Sequence, residues 1–179
     1  TSVSDTVLLY TTPPADVTKE NVFRVDKIQG FAEKQGITLE NDLPTNNPDQ
    51  WSEKSDAIAA GSIVDSYYFY LAGATDGRVR VEATITFDKP ILGLIGYNDI
   101  FLPTNDLLGA SGVAYSPLTS TNLDNNAQFP VVDDRASFDG NTVTISLSND
   151  NGMDPIRVIT GSGLTIPYDP GADDDNSST

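Results

Sequence analysis

The run Asp150-Asn151-Gly152-Met153-Asp154 sets oxygen-bearing side chains around a glycine. Calcium takes about six to eight oxygen ligands, so Asp150, Asn151 and Asp154 would fill part of a shell that other residues must complete. The same run suits an ordinary hairpin turn, because Asn-Gly favours positive φ. Asp99, Asn105 and Asp106 form a second oxygen cluster. There the alternative is loop capping, with Asp106 as N-cap to Leu107 and Leu108. Asp124-Asn125-Asn126 and Asp133-Asp134 are further candidates. Neighbouring carboxylates on a strand point to opposite faces, so Asp133 and Asp134 need not share an ion.

The aromatic residues offer a different chemistry. Tyr97 and Tyr115 fall in or beside a long irregular stretch, where an exposed ring could stack on a sugar. Trp51, Tyr67, Tyr68 and Tyr70 could add to such a platform. However, Tyr67, Tyr68 and Tyr70 lie in a core-like run where aromatic residues ordinarily pack. Glu33 with Glu40, or Asp65 with Glu82, could be imagined as a glycosidase pair. That reaction needs two carboxyls about 5–10 Å apart across a cleft. With 26 acidic residues in the chain, such pairs arise by chance, and no residue is assigned a catalytic role.

Composition narrows the classes. There is no His and no Cys, which removes disulfides, thiol chemistry, His-based triads and nearly all structural zinc sites. The net charge of −16 makes nucleic acid an unsuitable partner, since phosphate neutralisation needs a basic surface. No apolar run reaches the roughly 18 residues of a membrane span, so no membrane insertion is expected. The acidity either serves calcium or keeps an exported protein soluble.

The elements that must position these groups are strands. Val79, Val81, Ala83, Ile85 and Phe87 alternate with Arg80, Glu82, Thr84 and Thr86, the period of a half-buried strand. Residues 91–97 are apolar or Gly throughout, as in a strand buried on both faces. The short Asp88-Lys89-Pro90 link predicts that these two strands are antiparallel neighbours, joined by a hairpin or a corner. Residues 62–71 read as another strand, which makes 62–97 a three-stranded meander. Val143, Ile145 and Leu147 alternate with polar residues, and 156–160 form a last strand. Residues 1–10, 21–29 and 36–40 are further candidates. One helix is predicted over 50–60, with Asn47 as N-cap, Pro48 in the first helical position, Gln50 completing a capping box and Gly61 as C′. Trp51 and Ile58, seven apart, would share its buried face.

Several segments together resemble a known family. They are VFRVDKIQGFAEKQGITLENDL (22–43), GSIVDSYYFYL (61–71), ITFDKPILGLIGYND (85–99), NDLLGASGVAYS (105–116) and MDPIRVIT (153–160). In this order they resemble a domain of exported bacterial proteins, many of which carry a PEP-CTERM-type sorting segment linked to the envelope and exopolysaccharide. Asn105, Ser111 and Pro155 depart from the family's usual Ser, Pro and Gln. The resemblance implies export and a β-sandwich-like module, and it supplies no catalytic residues.

The expectation is therefore a single all-β domain over 1–168, an antiparallel two-sheet sandwich of jelly-roll type with one short helix near 48–60. Residues 169–179 are expected to form an acidic polar tail or linker. The expected role is a non-enzymatic extracellular or cell-surface module for adhesion or matrix structure, stabilised by Ca2+. Its partner would be an extracellular polysaccharide or a neighbouring surface protein. The alternatives are a carbohydrate-binding module using Tyr97 and Tyr115, and a homo-oligomer or fibre built by donating strand 1–10 to a neighbour's sheet edge.

Overall fold

The computed structural model describes residues 1–18, 26–72, 79–116, 123, 134–149 and 152–162. Two sheets face each other. The first contains β1 (Ser2–Val3), β9 (Val79–Thr86), β13 (Thr142–Asn149) and β12 (Arg135–Asp139), in that spatial order. The second contains β10 (Ile91–Ile95), β14 (Met153–Gly161), β8 (Ile63–Ala72), β4 (Ile28–Ala32) and β2 (Val7–Tyr10), with β5 (Ile37–Thr38) also pairing β8. Alternation fixes the inner face. Phe69 and Leu71 of β8 and Ile156 and Val158 of β14 meet Val81, Ala83 and Ile85 of β9 and Val143, Ile145 and Leu147 of β13 in one core.

The six-stranded sheet is buried on its other face as well. There Phe31, Tyr68, Tyr70, Met153 and Ile159 pack against Val17, Leu39, Leu43, Ile58, Ile100, Phe101 and Leu108. This covering layer is built from short pieces: β3 (Asp16–Val17), β11 (Ala114–Tyr115), and the single-turn helices α1 (Asn98–Phe101) and α2 (Asn105–Leu108), while β6 (Asn46–Asn47) and β7 (Gln50–Lys54) send Trp51 into the core between the two sheets. The domain thus has three layers, and the long stretch after β10 forms much of the third.

Four expectations need correction. The first is the predicted helix at 50–60. Its beginning is strand β7, which pairs with β6 in a tight hairpin. Asn47 Oδ1 accepts from the N–H of Asp49 at 3.0 Å, a side-chain turn bond of the kind an N-cap also makes. Ile58 instead forms an isolated bridge with Leu43.

The second is the meander. β8 and β10 lie in one sheet and β9 in the other, so the chain crosses the sandwich twice. The Asp88-Lys89-Pro90 link is a corner pinned to the β12–β13 turn. Phe87 donates to Asn141 O and Ile91 to Gly140 O, both at 2.8 Å. Hydrophobic alternation shows which face is buried but not which strand lies alongside.

The third is the first strand, which divides between sheets. Ser2 and Val3 pair with Thr86 and Ile85, while Val7–Tyr10 pairs with β4. Donating this segment to a neighbour would break both sets of pairs. The fourth concerns direction: the β2–β4 and β3–β11 pairs are parallel within an otherwise antiparallel arrangement. The expected linker at 169–179 lies outside the described residues.

Candidate functional site

An arginine in the middle of an apolar strand is the most conspicuous charged group in the interior. Arg157 follows Ile156 and precedes Val158 on β14, and its side chain is fully buried. It points to the covered face of the six-stranded sheet, the face of Met153 and Ile159. Glu33 follows β4 with the parity of Phe31, so its carboxylate reaches the same face, and its side chain is likewise buried. The two meet through two bonds: Arg157 Nε donates to Glu33 Oε2 at 2.6 Å and Nη2 to Oε1 at 2.8 Å. This fork geometry is the strong form of a guanidinium–carboxylate pair.

The other polar positions around the pair are also filled. Ser66 Oγ of β8 donates to Glu33 Oε2 at 2.6 Å. Arg157 Nη1 donates to Thr104 Oγ1 at 3.0 Å, and Nη2 to Asn105 Oδ1 at 3.0 Å. The guanidinium lies 4.4 Å from the centre of the Phe101 ring and 5.8 Å from that of Tyr115. Gln35 Nε2 donates to Ser66 O at 2.9 Å and the Gly36 N–H to Asp65 Oδ1 at 2.7 Å. Thus residues from 22–43, 61–71, 105–116 and 153–160 converge on one buried charge pair. Its partners come from β4, β8, β14 and the loop layer, so it fastens that layer to the sheet.

Burial also sets the tyrosines. Loss of hydration pushes Tyr68 well above the ordinary value of 10.0, with the Glu33 carboxylate adding to the rise against the opposing charge of Arg157. Tyr70 and Tyr115 are raised mainly by burial too, and Tyr115 further by the charge of, and a hydrogen bond with, Glu33. A raised folded-state value means the folded protein holds protons the unfolded chain releases. The associated stability is complete below pH 10 and falls as pH rises further. Spectrophotometric titration is therefore expected to show Tyr68, Tyr70 and Tyr115 ionising late, together with alkaline unfolding. One smooth transition that precedes unfolding would contradict the burial of Tyr68 and Tyr115.

The residues singled out from sequence are mostly dispersed. Asp99 is exposed on α1 and Asp106 is exposed in the first turn of α2, where its charge suits the helix start rather than capping it. Thr104, not Asp106, holds the N-cap position. Asp154 is a buried strand residue opposite Leu71 rather than part of a turn. Asp150 and Asn151 lie outside the described residues, as do Asp124, Asn125, Asn126 and Asp133. Among the described residues no three acidic side chains gather as a metal cluster. Asp134 is buried, and its Oδ1 accepts from Ser148 N at 2.8 Å.

Tyr97 is half-buried against the sandwich core, and its carbonyl accepts from Ile100 and Phe101 at the start of α1. The Tyr115 ring packs 5.2 Å from Tyr68, and its hydroxyl accepts from Ala110 N at 2.7 Å. Tyr115 is therefore engaged with the interior. Of the imagined acid pairs, Glu33 is closed off by Arg157 while Glu40 is exposed. Asp65 holds a backbone N–H, and Glu82 lies on the outer face of the four-stranded sheet.

That outer face carries features the sequence reading passed over. A shallow, open depression of about 570 Å³ is lined by Pro48, Asp49, Arg80, Glu82, Arg135, Ala136, Ser137, Thr144 and Ser146. The signal was present in the alternation, since the polar residues of β9, β12 and β13 must share one wet face. Which of them lie side by side depends on a register set by sheet pairing.

No family model matches the chain, no curated protein matches its sequence, and no solved structure matches it.

Proposed function

We propose that this chain is a non-enzymatic extracellular module, exported to the cell surface, that serves adhesion or matrix structure. The observation that carries the reading is the fate of its charged groups. The segments behind the family resemblance bring Glu33 and Arg157 together where water is excluded and every hydrogen-bonding direction is used. Such a pair holds a layer in place; acid–base turnover needs groups that reach a substrate. The absence of His and Cys and the charge of −16 support the same reading.

Calcium stabilisation is part of this proposal, with Asp150, Asn151 and Asp154 as ligands read from sequence. Two measurements test it. Displayed on cells or beads, the domain is expected to increase attachment to polysaccharide-coated surfaces without releasing reducing ends. Turnover of any member of an aryl glycoside panel would overturn the non-enzymatic reading. In thermal melts at matched ionic strength, calcium at a hundredfold excess over its Kd adds about 2.7 kcal/mol. At about 2–4 °C per kcal/mol, the expected rise over EDTA or magnesium is several degrees. Equal melts in all three buffers would remove calcium from the proposal.

A second reading, carbohydrate binding, is favoured by the open polar depression rather than by Tyr97 and Tyr115.

A further inference from the structure

We propose that the depression on the four-stranded sheet is a binding site for a neutral saccharide. This rests on the adhesive reading above and identifies the surface and the ligand class. The site is assembled by sheet register. Arg135 of β12 lies opposite Ser146 of β13, which lies opposite Glu82 of β9; in the next row Ser137 lies opposite Thr144. Neighbouring strands are about 4.8 Å apart and same-face residues on one strand about 6.8 Å apart, so this patch has the dimensions of one or two sugar rings. Arg80, one step along β9 from Glu82, donates from Nη1 to Ser146 Oγ at 3.0 Å and so lies across the floor. Pro48 and Asp49, in the turn between β6 and β7, complete the wall. The volume of about 570 Å³ falls within the usual range for small-ligand sites.

The lining selects the ligand by elimination. It combines fixed donors (Arg80, Arg135), fixed acceptors (Glu82, Asp49) and hydroxyls that can do either (Ser137, Thr144, Ser146). A sugar ring presents adjacent hydroxyls that both donate and accept, which this mixture satisfies. A polyanion would meet Glu82, Asp49 and the field of a chain at −16. A cation would meet two guanidiniums. An apolar ligand would strip water from these polar groups and offer them no hydrogen bonds in return. With no aromatic ring in the lining, binding to one site is weak, with Kd roughly millimolar, and useful attachment comes from many copies acting together.

Backbone amide NMR titration with maltohexaose, cellohexaose, mannohexaose and an oligogalacturonate tests this. At least one neutral hexasaccharide is expected to shift amides of Arg80, Glu82, Arg135, Ser137, Thr144 and Ser146, with the oligogalacturonate at least about tenfold weaker. Arg135→Ala and Ser146→Ala change outward-facing side chains, the second giving up the exposed bond from Arg80, so both should melt within a few degrees of the parent while each weakens binding about tenfold. Shifts centred on Tyr97 instead, no shift with any probe, or binding unchanged in both variants would overturn the site. Attachment to polysaccharide surfaces that survives both variants would leave the adhesive reading standing and remove this site alone. Loss of attachment by the parent protein as well would remove both.

Discussion

Replacing Arg157 with Met while Glu33 remains is expected to lower the unfolding free energy by about 3–5 kcal/mol. The loss comes from the carboxylate left behind. Glu33 would keep Ser66 as a donor but lose both guanidinium bonds in a place water does not reach. Domains of this kind have only about 5–15 kcal/mol in total, so the variant should sit close to the edge of folding. Glu33→Gln is expected to be damaging for the converse reason, a buried guanidinium without its counter-charge. The diagnostic is the double variant, Glu33→Leu with Arg157→Met. Removing both charges should cost less than Arg157→Met alone, because no uncompensated charge remains, though Thr104 and Asn105 would lose a partner. Urea unfolding of the four proteins measures this. A loss below about 1 kcal/mol for Arg157→Met would mean that the pair behaves as a surface pair and that the loop layer is not fastened as described.

Trp51→Ala is expected to cost about 3–5 kcal/mol. Trp51 is fully buried and is the single tryptophan of the chain. It packs into the sandwich core near Leu123 and Gly96, where a β-carbon on Gly96 would stand 3.0 Å from the ring. Its Nε1 donates to Asp134 O at 3.0 Å, tying β7 to the start of β12. Trp51→Phe separates the two contributions. It keeps most of the volume and removes the indole bond to the Asp134 carbonyl, at a cost of about 0.5–1.5 kcal/mol. The parent's emission should be blue-shifted and should move red at the same urea midpoint as the loss of circular dichroism. Solvent-like emission in native buffer would contradict the burial and with it the predicted cost.

These two residues also show what could be read from the chain alone. The strands β8, β9, β13 and β14 are legible because alternation and β-branched runs are local properties that tertiary structure did not override. Trp51 misled because two signals were ambiguous. The Asn47-to-Asp49 bond serves a turn as well as it serves a helix start. The seven-residue spacing to Ile58 reflects two separate burials rather than one helical face. For the buried pair, residues 156–160 were read only as a strand, and the cation amid Ile156, Val158 and Ile159 was passed over. Choosing Glu33 from 26 acidic residues required knowing that β4 and β14 flank β8. The depression was hidden for the same reason. Arg80, Glu82, Ser146 and Arg135 are far apart in the chain, and only strand pairing makes them neighbours.

The position of β14 has a kinetic consequence. It lies between β10 and β8, so the strand formed by residues 153–161 occupies the middle of the larger sheet. Before that segment has left the ribosome, β8 and β10 have no common neighbour, and Glu33 has no cation. Most pairings span long stretches of chain and cost closure entropy before they return any stability. The larger sheet therefore stays in two parts, β10 on one side and β8, β4 and β2 on the other, until residues 153–161 join them.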